Sequence, residues 1–167
     1  LIQNDFHKQE YYAAKFSIFL AQNDFDQAEI ALEEAYMLNR FAFAPALGRF
    51  YANYRSMGKA LEIFEEYLAL YHDPAVALQT AEIYCLLKKC DKISSLNKDY
   101  QSGSGKEVLL LNYYFEVLER FAADDIASCQ PYLAPLQEAI NTPLATFIYF
   151  CSKLDAGDLA GIHKYYN

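Results

Sequence analysis

Residues 23–39, with the sequence NDFDQAEIALEEAYMLN, constrain the fold most, because they form one amphipathic helical pattern with its own start signal. Asn23 and Asp24 carry side-chain oxygens that accept hydrogen bonds from the first free N–H groups of a helix. Apolar residues then recur at spacings of three and four, on one helix face: Phe25, Ala28, Leu32, Ala35 and Leu38. The small alanines on this face let a second helix approach closely, so the stretch predicts one half of a helical hairpin.

The same arrangement recurs in the next part of the chain. Leu47-Gly48 is followed by Tyr51, a turn follows at residues 56–58, and Ala60 and Phe64 begin a second apolar stripe. A glycine at position 48 leaves room for the partner helix to lie close. We place Pro45 in the first turn of this helix, where its missing N–H has no partner to lose.

These two stretches resemble the tetratricopeptide repeat, a helix–turn–helix unit of about 34 residues. Leu47-Gly48 and Tyr51 match the order and spacing of the family's first helix, and Ala60 and Phe64 match its second. In the preceding unit, Tyr12 and Phe19 occupy the two aromatic places, and Phe16 replaces the glycine between them. The resemblance implies an α-α superhelix, or solenoid, of antiparallel helix hairpins.

The resemblance divides the chain into about five hairpins within a single all-α domain, residues 1–167. The units are residues 9–40, 41–72, 73–105, 106–141 and 142–167. The first predicted helix covers residues 10–22, after a frayed lead-in or the end of an earlier helix. The second helix of the third unit covers residues 92–100. The last predicted helix covers residues 159–166. Asp73-Pro74 and Thr142-Pro143 are helix start signals, whereas residues 101–105 are a break. No strand-like alternation competes with these patterns.

Composition excludes several functional classes. A hydrophobic content of 54% allows a substantial core, and the net charge of −8 argues against binding nucleic acid, which requires clustered Lys and Arg. No apolar run is long enough to span a membrane. The chain begins with leucine, so we expect either a mature form or a fragment of a longer chain. A cytoplasmic location is favoured.

No constellation of residues predicts an enzyme, a cofactor or a metal site. Cys85, Cys90, Cys129 and Cys151 lack the C-x-x-C spacing of zinc ligands, and we interpret them as small buried thiols. The three histidines lie in different predicted units. The segment at residues 103–106 lacks the full phosphate-loop pattern, and we interpret it as a linker.

In tetratricopeptide arrays, the first helix of each hairpin lines a concave groove that binds peptides. The resemblance therefore implies a groove in this chain. Its predicted lining residues are Ala13, Ser17, Leu20, Arg49, Ala52, Asn53, Leu78, Glu82, Cys85, Asn112, Glu116 and Glu119. This set lacks the lysine–asparagine cluster with which some members bind a C-terminal carboxylate. It favours a segment with apolar anchors and a basic residue near Glu82 or Glu116.

We therefore predict a protein–protein interaction scaffold or adaptor that binds a peptide segment or partner protein. Three alternatives remain open. One is a chaperone like the tetratricopeptide chaperones of secretion systems, and another is an accessory domain of a larger enzyme. The third is a structural piece that self-associates through its terminal helices.

Overall fold

Every regular element is helical in the computed structural model, which describes residues 2–101, 106–136 and 142–157. The helices are α1 (Ile2–Ala21), α2 (Phe25–Leu38), α3 (Arg40–Tyr54), α4 (Met57–Leu68), α5 (Pro74–Leu86), α6 (Cys90–Tyr100), α7 (Lys106–Ala122), α8 (Gln130–Leu136) and α9 (Pro143–Asp155). A 3₁₀ turn, Ala127–Cys129, precedes α8. The all-α prediction is thus confirmed for the described ranges, which contain no strand.

The chain forms two compact units, Leu1–Val76 and Ala77–Asn167. In the first unit, α2 packs against α1 and α3, and α3 packs against α4, so helices that follow one another in sequence are neighbours in space. The connections are short: Asn39 alone joins α2 to α3. The core of this unit is made of small and aromatic residues: Ala28, Ala31, Leu32, Ala35, Ala44, Leu47, Phe50, Tyr51, Ala60, Leu61, Phe64 and Tyr67.

Helix α7 is the packing centre of the second unit. It contacts α6, the 3₁₀ turn and α8, while α9 contacts the 3₁₀ turn. Several of its side chains are buried: Leu111, Tyr114, Phe115, Val117, Leu118 and Ala122. This agrees with the apolar character of the α7 sequence on nearly all sides, which is typical of a helix surrounded by others.

The predicted helix start signals are confirmed at three positions. Asp24 accepts a hydrogen bond from the N–H of Gln27 (3.2 Å) before α2. Asp73 accepts one from Ala75 (2.9 Å) before α5, and Thr142 accepts one from Ala145 (3.1 Å) before α9. Each cap satisfies an N–H group that has no partner within its own helix.

The predicted close approach at Gly48 is also confirmed. A Cβ atom built on Gly48 would lie 2.2 Å from Cε1 of Phe64, which is fully buried on α4. No real carbon atom tolerates that distance, so α3 and α4 reach their spacing because position 48 has no side chain.

Three predicted boundaries were wrong. Helix α1 begins at Ile2 and not at residue 10, and α6 begins at Cys90 and not at residue 92. Pro45 is the sixth residue of α3 and not in its first turn, because Asn39 caps α3 early by accepting from the N–H of Ala42 (3.1 Å). Proline is tolerated there with the loss of one backbone hydrogen bond.

Two predicted elements, the break at residues 101–105 apart from Gln101 and the final helix at residues 159–166, lie outside the described residues. Among the helices that the structure does describe, none combines the length and the apolar character that crossing a membrane requires.

Candidate functional site

The six predicted groove residues of the first unit lie on α1 and α3. Ser17, Arg49 and Asn53 are exposed, whereas Ala13, Leu20 and Ala52 are half-buried. The hydroxyl of Ser17 donates to the backbone oxygen of Ala13 within α1 (3.0 Å). Arg49 and Asn53 therefore present polar groups to solvent from neighbouring turns of α3.

The three predicted acidic groove residues of the second unit have partners inside that unit. Tyr114 donates to Glu82 (2.6 Å), Arg120 donates to Glu116 (3.3 Å), and the hydroxyl of Ser94 donates to Glu119. A basic group of a partner would compete with these bonds.

The other predicted groove residues of this unit differ in their exposure to solvent. Leu78 and Asn112 are half-buried, and Cys85 is 3% exposed, so its thiol lies in the core. Burial raises the pKa of Cys85 to about 12, which keeps the thiol protonated and unreactive at neutral pH.

A cleft of about 450 Å³ opens in the first unit, among α2, α3 and α4; we call it the α2–α4 cleft. Helix α2 supplies three of its lining residues, α3 two and α4 three: Glu33, Tyr36, Met37, Leu47, Tyr51, Lys59, Glu62 and Ile63.

Leu47 and Tyr51, each 3% exposed, are the buried members of the cleft lining. The hydroxyl of Tyr51 donates to Oε1 of Glu33 (2.5 Å), which joins α3 to α2 across the cleft. Burial, together with this bond, raises the pKa of Tyr51 far above its usual value. Tyr51 therefore serves as a hydrogen-bond donor and not as a base.

The cationic residue of the cleft, Lys59, is held by two contacts. Its Nζ atom lies 4.8 Å from the centroid of the Tyr51 ring and 4.0 Å from Oε1 of Glu29. Glu29 also accepts from Nε of Arg55 (2.8 Å), and Arg55 reaches Asp26 as well. These contacts join α2, the end of α3 and the start of α4 next to the cleft.

Sequence reasoning missed this cleft because it assigned function to the first helix of each hairpin, whereas α2 and α4 are second helices. A signal was present in α2. Met37, which lines the cleft, is a large apolar residue outside the predicted packing stripe, and it is 67% exposed. Large apolar residues off the packing face indicate a contact surface beyond the hairpin.

The described part of the chain contains no group of three or more His, Cys, Asp or Glu residues arranged to hold a metal ion. Comparisons of the chain with protein-family models, with curated proteins and with solved structures each find no match. The geometry of the cleft and the sequence pattern are therefore the basis for the function proposed below.

Proposed function

We propose that this chain is a protein-interaction module that binds a peptide segment of a partner protein. The observation that carries the proposal is the α2–α4 cleft, with buried Leu47 and Tyr51 in its lining and charged groups from α2 and α4 beside them. Its volume of about 450 Å³ falls within the range of about 300–1,000 Å³ that is usual for ligand sites.

The packing within the first unit supports a divergent tetratricopeptide-like module. The contact between Gly48 and Phe64 is the close approach that the resemblance implies for a first and second helix. Consecutive helices α1 to α4 pack in chain order, as they do in helical repeats. Such repeats commonly present surfaces to other proteins.

Binding fits the chemistry of the cleft better than catalysis does. Of the two tyrosines in its lining, Tyr36 and Tyr51, the second holds its proton, and the amine of the cleft belongs to Lys59, which lies against a ring and a carboxylate. Met37 and Ile63 add apolar surface of the kind that anchors a partner's side chain.

Panning of a phage-displayed library of random 12-residue peptides against the immobilised chain tests the proposal. Enriched peptides are then labelled and titrated with the soluble protein by fluorescence anisotropy. We expect saturable binding with dissociation constants in the micromolar range, as for a single anchored segment.

Two matched variants locate the site. Met37→Asp places a charge in the cleft lining, so we expect it to weaken binding. Leu70→Asp makes the same change at a position that is 77% exposed and outside the cleft, so it should bind as the parent does. A natively helical chain from which no peptide is enriched would overturn the proposed function.

A further inference from the structure

We infer that the α2–α4 cleft recognises an arginine or lysine next to an apolar residue in an extended segment of a partner protein. The inference rests on the proposed function and adds the chemistry of the partner. It concerns a face of the first unit formed mainly by second helices, and so differs from the groove that the sequence predicts.

Charge gives the first argument. The cleft lining contains two carboxylates, Glu33 and Glu62, and one ammonium group, Lys59. Lys59 lies 4.8 Å from the centroid of the Tyr51 ring and 4.0 Å from Glu29, and it is the one positive group set against the two carboxylates of the lining. The cleft is therefore left with an excess of negative charge, in a chain whose net charge is −8. A basic segment is complementary to it.

The orientation of Glu33 gives the second argument. One of its oxygens accepts from Tyr51, a buried side chain, and this bond fixes the carboxylate at the cleft wall. A carboxylate has two oxygens with about four acceptor positions in total, so positions remain for a partner's N–H groups. A guanidinium group presents paired donors to such an acceptor and suits it better than a single ammonium group.

The apolar lining gives the third argument. Leu47 is buried, Tyr36 and Ile63 are half-buried, and Met37 is 67% exposed. An apolar side chain of the partner would cover Met37 and remove apolar surface from water. Because methionine is flexible, it adapts to apolar side chains of different shapes. We therefore expect every bound segment to contain the basic residue, whereas the identity of the apolar residue next to it varies among segments.

The experiment uses the peptides obtained by panning the intact chain. We expect them to share an Arg or Lys adjacent to Leu, Ile, Met or Phe. Replacing the Arg with citrulline, which keeps the shape and removes the charge, should weaken binding about tenfold or more, since charge pairs that desolvate on binding commonly contribute that much.

Matched protein variants complete the test. Glu62→Lys reverses a charge in the cleft and should weaken binding about tenfold or more. Glu66→Lys changes the net charge equally, one turn further along α4 and outside the cleft lining, and should leave the affinity within about twofold. Sedimentation velocity of the parent chain and of Glu62→Lys shows whether a second copy is the occupant instead.

The outcomes separate the two proposals. Peptides that bind with citrulline as well as with arginine, or that lose equal affinity with Glu62→Lys and Glu66→Lys, would overturn this inference and leave the interaction module standing. Self-association abolished by Glu62→Lys would also overturn it, because the occupant is then the chain itself. Failure to obtain any binding peptide would overturn both.

Discussion

A methyl group added at Gly48 meets the ring of Phe64, which is fully buried. We expect Gly48→Ala to lower the free energy of unfolding by about 1–3 kcal/mol, the usual cost of overpacking a core. Urea unfolding followed by circular dichroism measures the change.

Gly58→Ala is the matched control. The nearest atom to a Cβ at position 58 is Oγ of Ser56, at 3.6 Å, and the residue lies in the first turn of α4. Alanine is the better helix former, so this variant should be unchanged or more stable by up to about 1 kcal/mol. Equal stabilities for the two variants would contradict the tight contact at Gly48.

Asn39 is a second residue with a local role. Its Oδ1 atom caps α3, and its Nδ2 atom donates to Oε1 of Gln9 on α1 (3.3 Å). Asn39→Ala should cost about 1–2 kcal/mol in thermal or urea unfolding, because it removes both bonds. Asn39→Ser keeps an acceptor for the cap and should cost less; the reverse order would show that the cap contributes little.

The raised pKa of Tyr51 makes the stability of the first unit decrease at alkaline pH. Its pKa is higher in the folded chain than the usual value of 10.0, so folding favours the protonated form. The resulting stability is fully present below about pH 10 and is lost as the pH rises above it. Unfolding free energies from pH 8 to pH 11 should therefore fall more steeply for the parent than for Tyr51→Phe. Parallel curves would contradict a raised pKa.

Among elements, a short chain of hydrogen bonds links three helices of the second unit. Tyr114 on α7 donates to Glu82 on α5 (2.6 Å) and lies 2.9 Å from the hydroxyl of Thr142, the cap of α9. Tyr114 has one hydroxyl proton, and it donates this proton in the hydrogen bond to the Glu82 carboxylate. The Thr142 hydroxyl must therefore be the donor in its hydrogen bond with the Tyr114 oxygen.

We expect Tyr114→Phe to lower the free energy of unfolding by about 1–2 kcal/mol, because the half-buried side chains of Glu82 and Thr142 both lose this hydrogen-bond partner. Thr142→Ser retains the hydroxyl and should be close to the parent in the same urea titration. A Tyr114→Phe chain as stable as the parent would show that water replaces the tyrosine hydroxyl.

The sequence predicted helix positions well where a cap and an apolar stripe coincide. Asp24, Asp73 and Thr142 act locally on the next turn, so their effect can be inferred without knowledge of the fold. The start of α1 was not predicted, because residues 2–9 contain only two apolar residues, Ile2 and Phe6, which are too few to define a helical stripe. Pro45 was misplaced because the cap of α3 is Asn39, which also ends α2.

The candidate site was less predictable than the helices. The α2–α4 cleft depends on how far three helices stand apart, and side chains such as Tyr51 and Glu33, 18 positions apart, meet only after packing. Glu82 and Tyr114, 32 positions apart, likewise meet only after packing. Arg120, in contrast, lies four residues after Glu116 on α7, and the helical pattern alone could have indicated that pair.

At the scale of the whole molecule, the reactivity of the cysteines reports on the integrity of the second unit, which contains all four of them. Cys85 and Cys129 are buried, and burial raises the pKa of Cys129 to about 11. We expect neither thiol to react with iodoacetamide at pH 8 until the chain unfolds, whereas the half-buried Cys90 and Cys151 react first. Mass spectrometry of labelled peptides measures the order. Early labelling of Cys129 would contradict the described core.

The single residue between α2 and α3 also sets where this chain tolerates changes of length. Asn39 ends one helix and caps the next, so an inserted or deleted residue there rotates α3 by about 100° relative to α2 or unwinds a turn. The three residues between α1 and α2 are constrained as well, because Asn23 has a positive φ of 58°, the N–H of Asp24 donates to the carbonyl of Phe19 (2.9 Å), and Asp24 caps α2. Tags and inserted segments should therefore avoid both the α1–α2 turn and the junction at Asn39, which should be kept at their present lengths.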